Sequence, residues 1–194
     1  MRKWTILLFS CLLLSCKPAT PNSDANGLVG TNITGAEFPQ GFNLTDHTGK
    51  QRSMQDFQGK IVAMFFGFTN CPDVCPTTLA DLKQSLKLLG DRANEVQVLF
   101  ISLDPERDTQ ALLAQFITGF DSRFIGLRGT PEQIAETAKT YKVFFAKVNN
   151  HGKSGYSLDH SAGIYLFDKT GKPRVYVQYG QKPADIAKDI KSLL

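Results

Sequence analysis

With 194 residues the chain has room for one domain and a short extension. Its 42% hydrophobic and 21% charged content is ordinary for a globular protein with a proper core. The formal net charge is only +4 and the basic residues form no stripe, so nucleic acid is excluded as an expected partner.

The first residues do not belong to the core. Arg2 and Lys3 form a short positive patch ahead of an apolar run from Trp4 to Leu14. That run covers about half of the roughly 20 residues a spanning helix needs, so it reads as the core of a signal peptide. It ends in Leu13-Leu14-Ser15-Cys16, which resembles the lipobox of bacterial lipoproteins. The resemblance implies cleavage before Cys16 and a diacylglyceryl group on its thiol. The expected location is therefore the bacterial cell envelope, with the domain facing the extracytoplasmic, periplasmic side and held to a membrane by lipid. Residues 17–36 are rich in Pro, Ala, Thr, Asn and Gly and carry almost no apolar mass, the composition of a flexible tether. The expected division is a signal peptide at 1–15, a lipidated tether at 16–36 and one folded domain at 37–194.

The elements of that domain follow in order. Phe42-Asn43-Leu44 and Gln51-Arg52-Ser53-Met54, separated by Asp46-His47-Thr48-Gly49, suggest a small N-terminal hairpin. Ile61 to Phe68 is a continuous apolar run of strand length, as expected for a strand buried on both faces. Leu79, Leu82, Leu86 and Leu89 recur at helical steps after Pro76, and Gly90 supplies the stop. Val96 to Leu103 reads as a second buried strand, Asp108 to about Gly119 as a helix, and Phe124 to Leu127 as a short strand. Thr130-Pro131-Glu132-Gln133 carries a capping Thr, a Pro at the first helical position and a Gln at the third, which predicts a helix to about Tyr141. Ile164 to Phe167 and Arg174 to Gln178 form a second hairpin around Lys169-Thr170-Gly171-Lys172, and Pro183 to Leu193 is a closing amphipathic helix. This order predicts an α/β class and a thioredoxin-like fold: a central mixed sheet flanked by helices, with the N-terminal hairpin as an extension.

Four cysteines become informative once sorted by position. Cys11 lies in the signal core and Cys16 at the lipidation point, which leaves Cys71 and Cys75 as thiols. Outside the cytoplasm such a pair can close a disulfide or hold a metal. It lies in Cys71-Pro72-Asp73-Val74-Cys75-Pro76, just past a core strand, where ligands gather in α/β sheets. Cys75 falls near a helix N-terminus, whose unpaired N–H groups and positive dipole end favour a thiolate. Three residues separate the pair, against two in thioredoxin-type redox enzymes, and i and i+4 positions share one helical face. His160, in Leu158-Asp159-His160-Ser161, lies in the loop leading into the second hairpin, where a thioredoxin-like fold brings it beside the dithiol. Two thiolates and one imidazole favour copper, whereas a structural zinc site wants four protein ligands. His47 and His151 read as solvated turn histidines, and Met64 as core packing.

The segments Gly67-Phe68-Thr69-Asn70-Cys71-Pro72-Asp73-Val74-Cys75-Pro76, Ser102-Leu103-Asp104-Pro105-Glu106-Arg107-Asp108-Thr109 and Asp159-His160-Ser161 together resemble the SCO/SenC family of copper proteins. The resemblance runs from about Phe38 to the C-terminus. It implies one copper per chain, Cu(I) and/or Cu(II), held by Cys71, Cys75 and His160. It also implies a metallochaperone role in cytochrome c oxidase assembly, by delivering copper to the oxidase's copper-bearing subunit or another acceptor, or by reducing that subunit's cysteines. The alternative is a thiol–disulfide oxidoreductase using Cys71 and Cys75 as its redox pair. The family is commonly held by a transmembrane helix, and this chain departs from it in carrying a lipoprotein-like signal. A monomer is the default for a small tethered carrier. Asp108 or Thr109 is expected to cap the helix that follows, Asp104 or Arg107 to be available for a partner, and Asp159 to orient His160.

Overall fold

The structure is a computed structural model that describes residues 27–38, 41–149 and 155–194. The predicted signal peptide, Cys11, Cys16, the first part of the tether and His151 lie outside the described residues. Among the described residues, ten strands and four α-helices follow in the order β1 (Thr31–Asn32), β2 (Asn43–Asp46), β3 (Gln51–Ser53), β4 (Ile61–Gly67), α1 (Val74–Leu89), β5 (Val96–Ser102) and α2 (Gln110–Phe120). Then come β6 (Ile125–Arg128), α3 (Pro131–Thr140), β7 (Phe145–Asn149), β8 (Tyr156–His160), β9 (Ile164–Phe167), β10 (Pro173–Val177) and α4 (Pro183–Leu193).

Eight strands form one mixed sheet in the order β1-β10-β9-β4-β5-β6-β2-β3. Its centre is the parallel pair β4 and β5, in which every residue is buried; this explains why β4 reads as an unbroken apolar run and β5 as a largely apolar one. β6 extends the parallel part, while β9 pairs antiparallel with β4 on the other side. The expected hairpins are β2–β3 and β9–β10. The leucine stripe predicted for α1 buries Leu79, Leu82 and Leu86, and Gly90 ends the helix at φ 59°, a conformation glycine adopts without strain. α1 packs along α4, where the Ser85 hydroxyl donates to the Pro183 carbonyl at 3.0 Å. The capping box predicted for α3 forms, with Thr130 and Gln133 each bonding the other's backbone. No helix among the described residues is long and apolar enough to cross a membrane.

Two expectations change. The folded domain begins well before residue 37: Leu28 is buried, and Thr31–Asn32 pairs with β10. The carboxylate of Asp189, fully buried on α4, accepts the N–H groups of Val29 at 2.7 Å and Gly30 at 2.8 Å. Residues 27–32 are thus held by a distant carboxylate and by pairing with β10, which the composition of the tether does not reveal. The second change is β7–β8, an antiparallel ribbon that forms a sheet of its own. His160 is the last residue of a strand, not part of a loop.

Candidate metal centre

The carboxyl end of β4 delivers the chain to the site. Phe68 follows the strand, and the Cys71 N–H donates back to the Phe68 carbonyl at 3.2 Å, so Cys71 sits in a tight turn ahead of α1. The helix begins at Val74 with Asp73 as its N-cap, whose side chain makes no capping bond. The Cys71 sulfur does that instead, accepting from the Cys75 N–H at 3.4 Å. The two cysteines therefore meet because a turn folds one sulfur over the helix end, not because both lie on one helical face. Pro76 follows at the third helical position, where an N–H has no intrahelical partner to lose.

His160 arrives from the end of β8, just ahead of β9. Its Nδ1 lies 2.9 Å from the Ser161 carbonyl, an acceptor only, so Nδ1 carries the proton and the Nε2 lone pair is left free. That Nε2 is 3.7 Å from Cys75 Sγ. The ring is walled by Phe68 and Phe65, with centroids 5.9 Å and 6.3 Å away. Cys71 Sγ, Cys75 Sγ and an imidazole nitrogen of His160 all lie within 4.8 Å of one another, so the three predicted residues come together as a possible set of ligands for one ion. Cys75 is fully buried and Cys71 partly exposed. An open cavity of about 320 Å³, lined by Phe68, Cys71, Pro72, Asp73, Val74, Leu158, Asp159 and His160 among others, gives access from solvent.

The electrostatics depart from one expectation. Burial pushes the Cys75 thiol far up, against the pull of a bond from Phe68, so the helix end does not yield a thiolate there. Burial likewise lowers His160, although the Ser161 carbonyl and Asp159 pull the other way, and the imidazole is neutral at physiological pH. A metal ion held by these residues would replace the Cys75 proton and would find the imidazole already unprotonated.

Asp159 does not orient His160. Neighbouring strand residues point to opposite faces, so Asp159 is exposed and the Ser161 carbonyl holds the ring. Asp108 does not cap α2: its carboxylate is fully buried and accepts from Thr69 N–H at 3.1 Å, Thr69 Oγ1 at 2.6 Å and Ser102 Oγ at 2.5 Å. Thr109 is the cap, accepting from the Leu112 N–H at 3.2 Å. Nor is Asp104 available to a partner, being buried against Arg107 and Tyr156. His47 is more than a solvated turn residue, since its Nδ1 accepts the Gly126 N–H at 3.2 Å and ties β2 to β6. Met64 is fully buried core, as expected.

Gly67 is a site residue that sequence reasoning passed over. A Cβ built on it would lie 2.7 Å from Cys75 Sγ and 2.8 Å from the Phe100 ring, so only glycine leaves room for the thiol. Its signal was a glycine closing an otherwise apolar strand, the mark of a close approach.

The SCO1/SenC family model matches residues 30–194. An SCO2-like protein of Rickettsia felis is 33% identical over 181 residues, covering 93% of this chain and 87% of its own. Among solved structures, Bradyrhizobium japonicum ScoI with copper bound superposes with a TM-score of 0.72 at 37% identity, covering 86% of this chain and 99% of that one. BsSco, described as a member of the Sco family of cytochrome c oxidase assembly proteins with a disulfide switch, gives a TM-score of 0.63 at 26% identity, covering 86% and 96%. The chain belongs to the SCO1/SenC family.

Proposed function

We propose that this protein is a copper carrier of the bacterial cell envelope. It binds one copper ion through Cys71, Cys75 and His160 and supports assembly of the binuclear copper centre of cytochrome c oxidase. The observation that carries this reading is the convergence of two sulfurs and one imidazole within 4.8 Å, with Cys71 and His160 opening onto a cavity and Cys75 buried behind them. That donor set is soft and three-membered, which suits copper, and Cu(I) above all, better than a four-ligand structural zinc. A copper-bound relative at 37% identity supports the same choice of metal. Cargo release follows from the exposure gradient. Cys71 and His160 line the cavity and are the donors an acceptor's thiolates and imidazoles reach first, while buried Cys75 lets go last. The carrier works as a monomer, tethered by a lipid on Cys16 after removal of residues 1–15. The test is genetic: cells lacking the protein should assemble oxidase deficient in the binuclear copper, and the wild-type gene should restore it where a Cys75→Ser gene does not. Full oxidase copper in the deletion strain would sink the assembly role. A Cys16→Ser form should lose lipid labelling and membrane retention.

One observation also favours a second reading, thiol–disulfide exchange with a partner. A partly exposed and a buried cysteine beside each other are arranged as an attacking and a resolving thiol. Cys71 would attack the partner's disulfide, releasing one partner thiol and forming a mixed disulfide. Cys75 would then attack the Cys71 sulfur and displace the second partner thiol, leaving Cys71–Cys75 oxidised and the partner reduced by two electrons. Failure of the reduced, metal-free protein to reduce a peptide disulfide would remove this reading.

A further inference from the structure

The segment Asp104 to Thr109 has so far supplied only a helix cap and buried hydrogen bonds, yet it touches both halves of the site. Through Asp108 it holds Thr69, two residues before Cys71. Its contacts to the other half converge on Tyr156, the first residue of β8, at the opposite end of the strand from His160. The Tyr156 hydroxyl donates to Asp104 at 2.6 Å, and Asp104 also accepts from Arg107. Arg107 donates to the Tyr156 carbonyl at 2.7 Å, and its guanidinium carbon lies 3.8 Å from the Tyr156 ring centroid. Lys147 of β7, paired with Glu106 at 2.8 Å, comes within 4.5 Å of the same ring. The other side of Arg107 faces Phe68, 5.9 Å from its centroid, and Phe68 is the wall against which His160 stands.

We propose that Tyr156 is a latch. It docks the β7–β8 ribbon onto the Asp104–Arg107 turn, and this sets His160 at its distance from Cys75. Among the described residues the ribbon has no strand pairing to the main sheet, so register does not position it; a side-chain clamp does. Tyr156 is thus a positioning residue for the metal site, and this role rests on the copper reading only for its functional consequence. Ring and hydroxyl contribute separately. The ring stacks on a partly buried cation, and the hydroxyl bonds a buried carboxylate.

The experiment measures amide hydrogen exchange of the metal-free protein and copper affinity, by competition with a chelator, in a double-mutant cycle with His160→Ala. In Tyr156→Leu, amides of β8 should exchange at least about tenfold faster while those of β4 and α1 keep their protection. Copper affinity should fall ~10–100-fold, as for other outer contacts that hold a metal ligand. In the His160→Ala background the same change should cost nothing further, because the latch acts only through the imidazole. Tyr156→Phe, which keeps the ring over Arg107 and changes almost no volume, should recover part of both effects. Unchanged β8 exchange in Tyr156→Leu, or an equal loss of copper affinity with and without the imidazole, would overturn the latch. If wild-type copper binding itself ignores His160→Ala, the copper reading fails instead, and ribbon exchange in the metal-free protein still decides the latch.

Discussion

A single methyl group at residue 67 should separate the metal site from the stability of the fold. In Gly67→Ala the new carbon would stand 2.7 Å from Cys75 Sγ and 2.8 Å from the Phe100 ring, both fully buried. Ordinary contact needs about 3.5–4.0 Å, so the sulfur must retreat by roughly 0.8 Å or more. That is several times the ~0.2 Å tolerance of metal–ligand distances. Overpacking at such a position costs about 1–3 kcal/mol, which lowers Tm by roughly 4–8 °C at the middle of that range. Gly126→Ala is the control: its Cβ would meet Leu113 at 2.7 Å, in β6 and away from the cysteines, so it imposes a similar clash without touching the site. Calorimetry should show comparable losses of stability for the two variants. Copper competition should show at least a tenfold loss, about 1.4 kcal/mol, for Gly67→Ala alone. Wild-type copper affinity in a folded Gly67→Ala protein would refute the view that Gly67 makes room for the Cys75 sulfur as a ligand.

Copper affinity should rise with pH between about 7 and 8, because binding displaces the buried Cys75 proton while His160, lowered from its ordinary value, is already neutral; Cys75→Ser should remove one proton from the slope measured by titration at several pH values. Acid stability should depend on Asp46, where burial pushes the carboxyl up but bonds from Thr48, Arg52 and Lys50 outweigh it and hold it well below the usual range. A carboxyl depressed in the folded state contributes stability above its ordinary pKa of about 4 and loses it as pH falls further, so the gap in denaturant midpoint between wild type and Asp46→Asn should shrink from pH 5 to pH 2. Thr109→Ala should cost about 1 kcal/mol as a lost N-cap and leave copper affinity unchanged, which calorimetry and competition can check together.

What the sequence revealed follows from what each element buries. β4 and β5 were legible because both faces are covered, and α1 because its leucines repeat at helical steps and Gly90 stops it. The site was legible because Cys71, Cys75 and His160 combine chemistry with spacing that few other functions share. The β7–β8 ribbon was not, since only Leu158 of its ten residues is buried and no alternation marks it. Its place is set by Tyr156, Asp104 and Arg107, residues far apart in the chain. Asp189 shows the same limit: it reads as a surface residue of an amphipathic helix, yet it lies fully buried because two N–H groups from the other end of the chain need its carboxylate. The thiolate expected at Cys75 failed for a related reason, because a helix end is visible in sequence and the depth of burial is not.

The central claim is that three residues, and not the thiol pair alone, make the metal centre. It is tested most directly by titrating copper into the reduced domain and into its His160→Ala variant. Tight one-to-one binding that weakens by orders of magnitude without the imidazole is the predicted result. Binding of equal strength in both proteins would contradict the account and leave Cys71 and Cys75 as a redox pair.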